Sequence, residues 1–254
     1  MTGKVYLIGA GPGDPELMTV KAIRMLKEAD AVVYDRLVSD EIIAMANPDA
    51  KMIFVGKSPK CHTVPQERIN EILAEEALAG RTVARLKGGD PLIFGRGSEE
   101  AGHLVSQGVQ VEYAPGITAA QGAASVTGVP LTHRGLATGV QYVTGHRQAD
   151  KALDLDWKKL ADPDTTLVVY MGVANIGQIA VGLMTEGLSG ATPVMAISRV
   201  SSPDESRMVS TLNRVAQDTR DAGLKPPTLF VIGKVVSLYD TALLSQEIEV
   251  AAHA

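Results

Sequence analysis

The stretch Lys87–Glu100, KGGDPLIFGRGSEE, decides how the whole sequence is interpreted. It follows a strand-like apolar run and opens with two glycines and Asp90, which expose backbone N–H and C=O groups and one carboxylate to a polar ligand. Arg96 and the paired acids Glu99 and Glu100 then begin a helical pattern. This order is typical of an ordinary strand–turn–helix corner and also of a ligand site at a strand end. Its recurrence along the chain favours the site.

The rest of the chain alternates short apolar runs with amphipathic segments. Ten runs predict strands, namely Val5–Ile8, Ala31–Tyr34, Met52–Val55, Val83–Leu86, Val111–Tyr113, Val140–Val143, Thr166–Tyr170, Pro193–Ile197, Met208–Leu212 and Leu229–Ile232. Seven segments predict helices, near Glu16–Glu28, Glu41–Ala46, Gln66–Ala79, Glu99–Gln107, Thr118–Thr127, Ile176–Glu186 and Asn213–Ala222.

In the first half of the chain, strands separated by helices indicate βαβ units and a largely parallel sheet. The fold class expected for the chain is α/β. A connector within 128–138 is expected to separate two α/β domains, an N-terminal domain over 1–133 and a C-terminal domain over 134–240. The chain after Val236 lacks glycine and proline, so the C-terminal tail, 241–254, is predicted to be a short helix or a frayed end.

Ligands of parallel sheets bind beyond the carboxyl ends of the strands. Eight predicted strands are followed there by glycines or charged residues, in the segments Gly9–Asp14, Asp35-Arg36, Gly56-Lys57, Gly88–Asp90, Pro115–Thr118, Gly145–Arg147, Met171-Gly172 and Arg199-Val200. A purely structural chain would not need this pattern, and it predicts one cleft between the two α/β halves.

Composition narrows the class of protein. An apolar fraction of 45% excludes a disordered chain, and the net charge of −5 gives no general reason to expect nucleic-acid or membrane binding. The single cysteine, Cys61, has no partner for an intramolecular disulfide, which fits a reducing cytosol. No segment approaches the roughly 18 apolar residues of a membrane helix. A cytoplasmic protein is therefore expected.

The segment GAGPGD after the first strand invites comparison with the dinucleotide-binding fingerprint. That motif has the spacing G-x-G-x-x-G, whereas here Pro12 stands between the last two glycines, and proline lacks the N–H that a pyrophosphate would use. A nicotinamide-dependent reductase with Asp35 as its ribose-binding acid stays open as an alternative, as does a tight structural turn. An ion pair with the adjacent Arg36, in place of a contact with a ribose, is a further possible role of Asp35.

Charged residues at the strand ends suggest acid–base chemistry and an acidic ligand. Asp35 and Lys57 are expected at the ends of adjacent strands, where they can act as base and acid or form a simple ion pair. Several arginines fall at strand ends or in the connector, and guanidinium groups bind carboxylates bidentately. They are Arg36, Arg96, Arg134 and Arg147. His133 and His146 lack metal-ligand spacing, so no metal site is predicted.

Taken together, the motifs GAGPGDPELMT, YDRLVS, VGK with VPQERIN, LKGGDPLIFGRGSEE, PGITAAQGAASVTGVPLTHR, VTGH and YMG stand in the order typical of a known family. Over Lys4–Val236 the chain resembles the uroporphyrinogen-III C-methyltransferases, within the tetrapyrrole methylases. Because only eight residues precede Gly9, the form without the oxidase–chelatase domain of bifunctional relatives is expected.

The resemblance implies a non-Rossmann methyltransferase fold, two α/β domains with a cofactor cleft between them. It implies S-adenosyl-L-methionine as the cofactor, S-adenosyl-L-homocysteine as its product, and two methylations of uroporphyrinogen III, at C2 and C7, that give precorrin-2. Members are homodimers that act on a small-molecule tetrapyrrole without a metal. Methylation of a later cobalamin-pathway tetrapyrrole is the alternative within the fold, and a non-catalytic protein that binds acidic ligands is a further one.

The resemblance also assigns roles to residues. The catalytic set is Asp35 and Lys57, a proton-handling pair, with Arg96. Cofactor contacts are implied for Pro12, Gly88, Gly89, Asp90, Ile93, Thr118, Ala119, Met171, Val200 and Thr228. Substrate contacts are implied for Arg36, Glu99, Arg134 and His146. One departure lies at Val200, where the family usually has a glycine.

Overall fold

The computed structural model describes residues 2–56, 64–146 and 153–239. The chain divides into two compact units, Met1–Gly122 and Ala123–Ala254, and each contains one five-stranded sheet. This division falls within the helix Ala119–Thr127, before the connector at which the sequence places the domain boundary. The limits 1–133 and 134–240 stay a prediction, and the tail 241–254 lies outside the described residues.

The first unit is an α/β unit with a wholly parallel sheet. Its strands are β1 (Lys4–Gly9), β2 (Ala31–Tyr34), β3 (Lys51–Phe54), β4 (Thr82–Lys87) and β5 (Gln110–Ala114), in the order β3-β2-β4-β1-β5. Its helices are α1 (Val20–Glu28), α2 (Asp40–Ile43), α3 (Gln66–Leu78) and α4 (Gly97–Ser106), with a 3-10 turn at Pro15–Leu17. Helix α5 (Ala119–Thr127) begins in this unit and ends in the second. All four strand pairs are parallel, which confirms the βαβ prediction for this unit.

Successive side chains of each strand point to opposite faces of the sheet, so each strand contributes to two packed layers. On one face, strand residues such as Ile8 and Leu86 pack with Met25 and Leu26 of α1 in an apolar cluster. On the other face, Val5, Leu7, Val33 and Val83 pack with apolar residues of α3 and α4. The two layers hold the strand ends in register.

The second unit has a mixed sheet. Its strands are β6 (Gly139–Thr144), β7 (Thr165–Tyr170), β8 (Pro193–Ser198), β9 (Ser206–Thr211) and β10 (Thr228–Ile232), in the order β6-β7-β10-β8-β9. Its helices are α6 (Trp157–Leu160), α7 (Ile176–Thr185) and α8 (Val215–Asp221), with a 3-10 helix at Lys234–Leu238. One apolar cluster joins α7 and α8 to the sheet.

The second sheet is mixed, in contrast to the parallel sheet that the βαβ pattern of the first half predicts. The β6–β7 pair is parallel, whereas β7–β10, β10–β8 and β8–β9 are antiparallel. The reason is plainest at β8 and β9, since the connection over 199–205 is too short for the crossover of a dozen or more residues that a parallel pair requires. Strand direction is not visible in the apolar runs themselves.

Within residues 2–56, 64–146 and 153–239, no helix combines the length and the apolar content that a bilayer-spanning segment requires.

Candidate functional site

The glycine loop after β4 is held against the loop after β1. Gly89 N–H donates to the Gly11 carbonyl at 2.6 Å, and Gly11 N–H donates to the Gly89 carbonyl at 3.2 Å. Gly89 adopts a φ of +68°, which favours glycine, and a Cβ built there would meet no atom within 4 Å. The backbone at Gly89 therefore borders open space, as a surface that a ligand approaches must.

The loop after β5 packs directly on the same backbone. A Cβ at Gly116 would lie 2.1 Å from the Gly89 carbonyl oxygen and 2.8 Å from the Gly9 Cα, so no side chain fits there. Asp90 joins these loops, since its Oδ2 accepts from Gly116 N–H at 3.0 Å while its Oδ1 accepts from Leu92 N–H at 2.8 Å. Three of the predicted strand-end segments thus converge on one cradle of backbone groups.

The remaining first-unit residues assigned to the cofactor flank this cradle. Pro12 follows Gly11 directly, and Ile93 is partly exposed in the turn after Asp90. Thr118 is buried next to the start of α5, where its Oγ1 accepts from Gln121 N–H at 3.4 Å; Ala119 is the first residue of α5.

The turn over 91–97 presents Arg96 to solvent. Phe94 and Arg96 have left-handed backbone, with φ of 52° and 57°, and a Cβ on Gly95 or Gly97 would lie 2.6 Å from the Pro91 carbonyl oxygen. Such backbone conformations are costly for residues other than glycine and concentrate at functional sites. The tight glycine contacts fix the direction in which the Arg96 side chain leaves the turn.

Arg96 forms an i,i+3 ion pair with Glu99. Its Nη2 lies 2.6 Å from Glu99 Oε2 and its Nε lies 3.0 Å from Oε1, and both side chains are about half exposed. The hydrogen bonds of this pair raise the pKa of Arg96 and lower the pKa of Glu99. Arg96 therefore stays a cation that offers its remaining N–H groups to an anion, and it is poorly suited to act as a base.

Asp35 follows β2 and is held from two sides. Its Oδ1 accepts from Leu37 N–H at 3.0 Å, and its Oδ2 accepts from Arg85 Nη2 at 3.2 Å. The guanidinium that pairs with Asp35 is that of Arg85 on strand β4, whereas the adjacent Arg36 is exposed. Strands β2 and β3 are neighbours as predicted, but Lys57 lies outside the described residues.

The sequence motifs do not reveal a buried charged layer, which consists of Arg85, Lys87 and Glu100. Glu100 has no exposed side-chain surface, and its Oε1 accepts from Lys87 Nζ at 2.8 Å, from Gln66 Nε2 at 3.0 Å and from Arg85 Nε at 3.2 Å. Burial, and then the neighbouring Arg85, lower the pKa of Lys87 despite its contact with Glu100. The signal available in the sequence was the alternation of Arg85 and Lys87 within an otherwise apolar strand.

In the second unit, three of the assigned cofactor residues lie at strand ends. Met171 follows β7 with a φ of 54° and is half exposed. Val200 and Thr228 are both buried, and the segments that carry them are joined by a hydrogen bond of 3.0 Å from Arg199 N–H to the Pro227 carbonyl.

The two second-unit residues assigned to the substrate are both exposed. Arg134 lies in the turn that the His133–Ala137 bridge closes, and His146 follows β6, where its N–H donates to Thr144 Oγ1 at 3.2 Å. Arg147 lies outside the described residues. Among the residues with described positions, no three histidine, cysteine, aspartate or glutamate side chains cluster as metal ligands would.

Comparison with known proteins places this geometry in a family. The family model of tetrapyrrole (corrin/porphyrin) methylases matches residues 4–216. The chain is 53% identical to the uroporphyrinogen-III C-methyltransferase of Paracoccus denitrificans, over 97% of this chain and 86% of that protein. It is 48% identical to the siroheme synthase of Pseudoalteromonas atlantica over 93% of this chain, and spans about half (51%) of that relative's length.

A solved structure agrees with the sequence comparisons. The uroporphyrin-III C-methyltransferase of Thermus thermophilus, in complex with S-adenosylhomocysteine, superposes with a TM-score of 0.80 at 43% identity, covering 93% of this chain and 100% of that one. The resemblance inferred from the motifs is thereby confirmed, and the chain belongs to the tetrapyrrole methylase family.

Proposed function

We propose that the protein is an S-adenosylmethionine-dependent C-methyltransferase that converts uroporphyrinogen III to precorrin-2 by methylation at C2 and C7. The observation that carries the proposal is the cradle of backbone groups formed by the loops after β1, β4 and β5. It occurs in a chain 53% identical to a uroporphyrinogen-III C-methyltransferase and 43% identical to a solved one that holds S-adenosylhomocysteine.

The residues of the first unit fit this cofactor. The open space beside Gly89 and the bare backbone around it allow a polar amino-acid moiety to approach N–H and C=O groups closely. When bound, S-adenosylmethionine supplies an electrophilic methyl group on sulfur. Its contacts in this unit fall on Pro12, Gly88, Gly89, Asp90, Ile93, Thr118 and Ala119. Those in the second unit fall on Met171, Val200 and Thr228.

The substrate is held through its carboxylates. Uroporphyrinogen III carries eight of them, and the exposed guanidinium groups of Arg36, Arg96 and Arg134 suit bidentate pairing with such groups. His146 adds a further donor, and Glu99 orients Arg96 through the ion pair described above. This chain's main contributions to methyl transfer are the alignment of the ring carbon and the exclusion of water.

A proton must leave the porphyrinogen after each methylation, from a position other than the methylated carbon, which carries no hydrogen. Asp35 is the base in this proposal, because its carboxylate is partly exposed and held by two donors that still leave lone pairs available. Lys57 is its proposed partner in proton handling. Arg96 contributes positive charge near the substrate.

The proposal also covers the location of the protein, its oligomeric state and the use of its product. The protein is proposed to be a cytoplasmic homodimer, since two-fold homodimers are the commonest oligomers and the family is dimeric by resemblance. Light scattering at micromolar concentration should then give about twice the chain mass of 26.8 kDa. A stable monomer would contradict it. The product is a shared precursor of sirohaem, cobalamin and haem d1.

The test of the proposed function is the product of an anaerobic reaction. Mass spectrometry of uroporphyrinogen III incubated with the protein and S-adenosylmethionine should show two added methyl groups. A product with one methyl group at long times, or no turnover of this substrate, contradicts the proposal. Turnover of a later cobalamin-pathway tetrapyrrole instead would favour the alternative within the fold.

A further inference from the structure

The buried charged layer of the first unit consists of Arg85, Lys87 and Glu100, and none of these residues is assigned to the cofactor or the substrate. Their side chains are 4%, 7% and 0% exposed. Burying ionised groups costs free energy that apolar residues of the same volume would not cost. The stability of the fold therefore gives no reason for charged residues at these three positions.

Arg85 is the member of the layer that reaches the proposed site. Its Nη2 donates to Asp35 Oδ2 and its Nε donates to Glu100 Oε1, each at 3.2 Å. Its Nη1 donates to the carbonyls of Leu86 and Val33 at 3.1 Å and 3.4 Å. The Nη1 group of the guanidinium thus contacts backbone carbonyls, and its Nη2 and Nε groups join the carboxylates of Asp35 and Glu100.

Glu100 also fixes Arg85, through the Nε group. Its Oε1 is shared with Lys87 and Gln66, so the carboxylate is tied to strand β4 and to the start of α3. With Asp35 included, the layer holds two cations and two anions in contact with one another. Each buried charge thus has a partner of opposite charge, which offsets part of the free energy that its burial costs.

We propose that Arg85 is a positioning residue for turnover, which holds the Asp35 carboxylate in place while Glu100 and Lys87 hold Arg85. The proposal rests on the proposed function, in which Asp35 accepts the ring proton. Leu37 N–H fixes one oxygen of Asp35, and Arg85 fixes the other, so the two contacts together set the rotation of the carboxylate. Loss of the second contact leaves that rotation free.

The test is Arg85→Lys in the full-length protein, because lysine keeps the buried charge but lacks the planar fork that reaches two carboxylates and the backbone. We expect kcat to fall by about tenfold to 10²-fold, since small displacements of a reacting group have effects of this size. KM for uroporphyrinogen III and the Kd of S-adenosylhomocysteine should stay near the wild-type values. Leu86→Ala is the control, because it weakens the same strand on its other face and should keep kcat.

A double-mutant cycle with Asp35→Asn separates positioning from structure. If Arg85 acts through Asp35, Arg85→Lys has little further effect on kcat in the Asp35→Asn background. A merely structural role would reduce kcat by the same factor in both backgrounds. Where Arg85→Lys does not fold, Glu100→Gln replaces it in the cycle, since glutamine keeps the shape and one acceptor oxygen.

The outcomes separate this inference from the proposed function. Additive effects in the cycle, or full kcat in a folded Arg85→Lys protein, overturn the role of Arg85 while methylation by the wild type stands. Failure of the wild type to methylate uroporphyrinogen III overturns the proposed function itself.

Discussion

The two faces of the first sheet differ in what they bury, although the same strands build both. Strand β4 shows the difference most clearly, because Ala84 and Leu86 enter an apolar layer beneath α1 whereas Arg85 and Lys87 enter the layer beneath α3 and α4. The second layer is apolar as far as Val83 and becomes charged toward the carboxyl end of the strand.

The two faces of the first sheet therefore hold their helices by different interactions. The α1 face is bound mainly by the hydrophobic effect, which is non-directional and tolerates small shifts. The charged end of the other face is bound by directional hydrogen bonds between ions, which fix geometry but cost desolvation. It lies next to the loop that begins at Gly88, where geometry matters for ligand binding. Substitutions on either face test this division.

The largest effect is expected on the charged face, from Glu100→Ala. This change leaves the buried cations Arg85 and Lys87 without their shared carboxylate, so the free energy of unfolding should fall by about 3–5 kcal/mol in urea denaturation. The neighbouring Glu99→Ala is the matched control, since Glu99 is exposed and its loss should change stability far less. Equal effects of the two substitutions would contradict the buried layer.

A comparable but differently caused loss is expected on the apolar face, from Leu86→Ala. Leu86 is fully buried, and removal of its side chain should lower the free energy of unfolding by about 2–5 kcal/mol. Because no charge is involved, the loss should not depend on salt concentration, as urea denaturation at low and high salt will show. A strongly salt-dependent loss would mean that the two faces are not independent.

A smaller effect is expected at the cradle, from Asp90→Ala. The change removes the acceptor for Gly116 N–H and Leu92 N–H, and the affinity for S-adenosylhomocysteine should fall by about 1–3 kcal/mol in calorimetry. Asp49→Ala, in an exposed turn, serves as the control. Unchanged affinity in Asp90→Ala would remove this residue from the site.

The smallest effect is expected at the exposed edge, from Arg96→Lys. Lysine keeps the charge but loses the bidentate fork, so turnover should fall by about tenfold, equivalent to about 1.4 kcal/mol, with cofactor binding nearly intact. Arg134→Lys is expected to behave in the same way. Steady-state kinetics with calorimetry will check both. Full turnover in Arg96→Lys would place the substrate elsewhere.

Much of this organisation could be predicted from the sequence, and the rest could not for identifiable reasons. All ten predicted strands occur, because apolar runs bounded by glycine and charge report burial directly. The direction of β9 and β10, which run opposite to the other three strands of the second sheet, depends on how connections cross the sheet, and the apolar runs do not encode it. Helix α6 is a single turn, too short for a periodic pattern.

At the site, local pairs were predictable and distant ones were not. The Arg96–Glu99 ion pair follows from helical spacing alone. The partners of Asp35 and Glu100 lie far away in sequence and depend on strand order, so the contact between Asp35 and Arg85 is not visible in the sequence. Glu99 and Glu100 look alike in the sequence, and only the face of α4 on which each lies separates them.

The most direct test of the account is a calorimetric titration of the wild-type protein with S-adenosylhomocysteine and, separately, with NADP. The cradle after β1, β4 and β5, with Pro12 lacking the N–H that a pyrophosphate would use, predicts that S-adenosylhomocysteine binds and that NADP does not. Binding of NADP without binding of S-adenosylhomocysteine would contradict the account and favour a nicotinamide-dependent reductase.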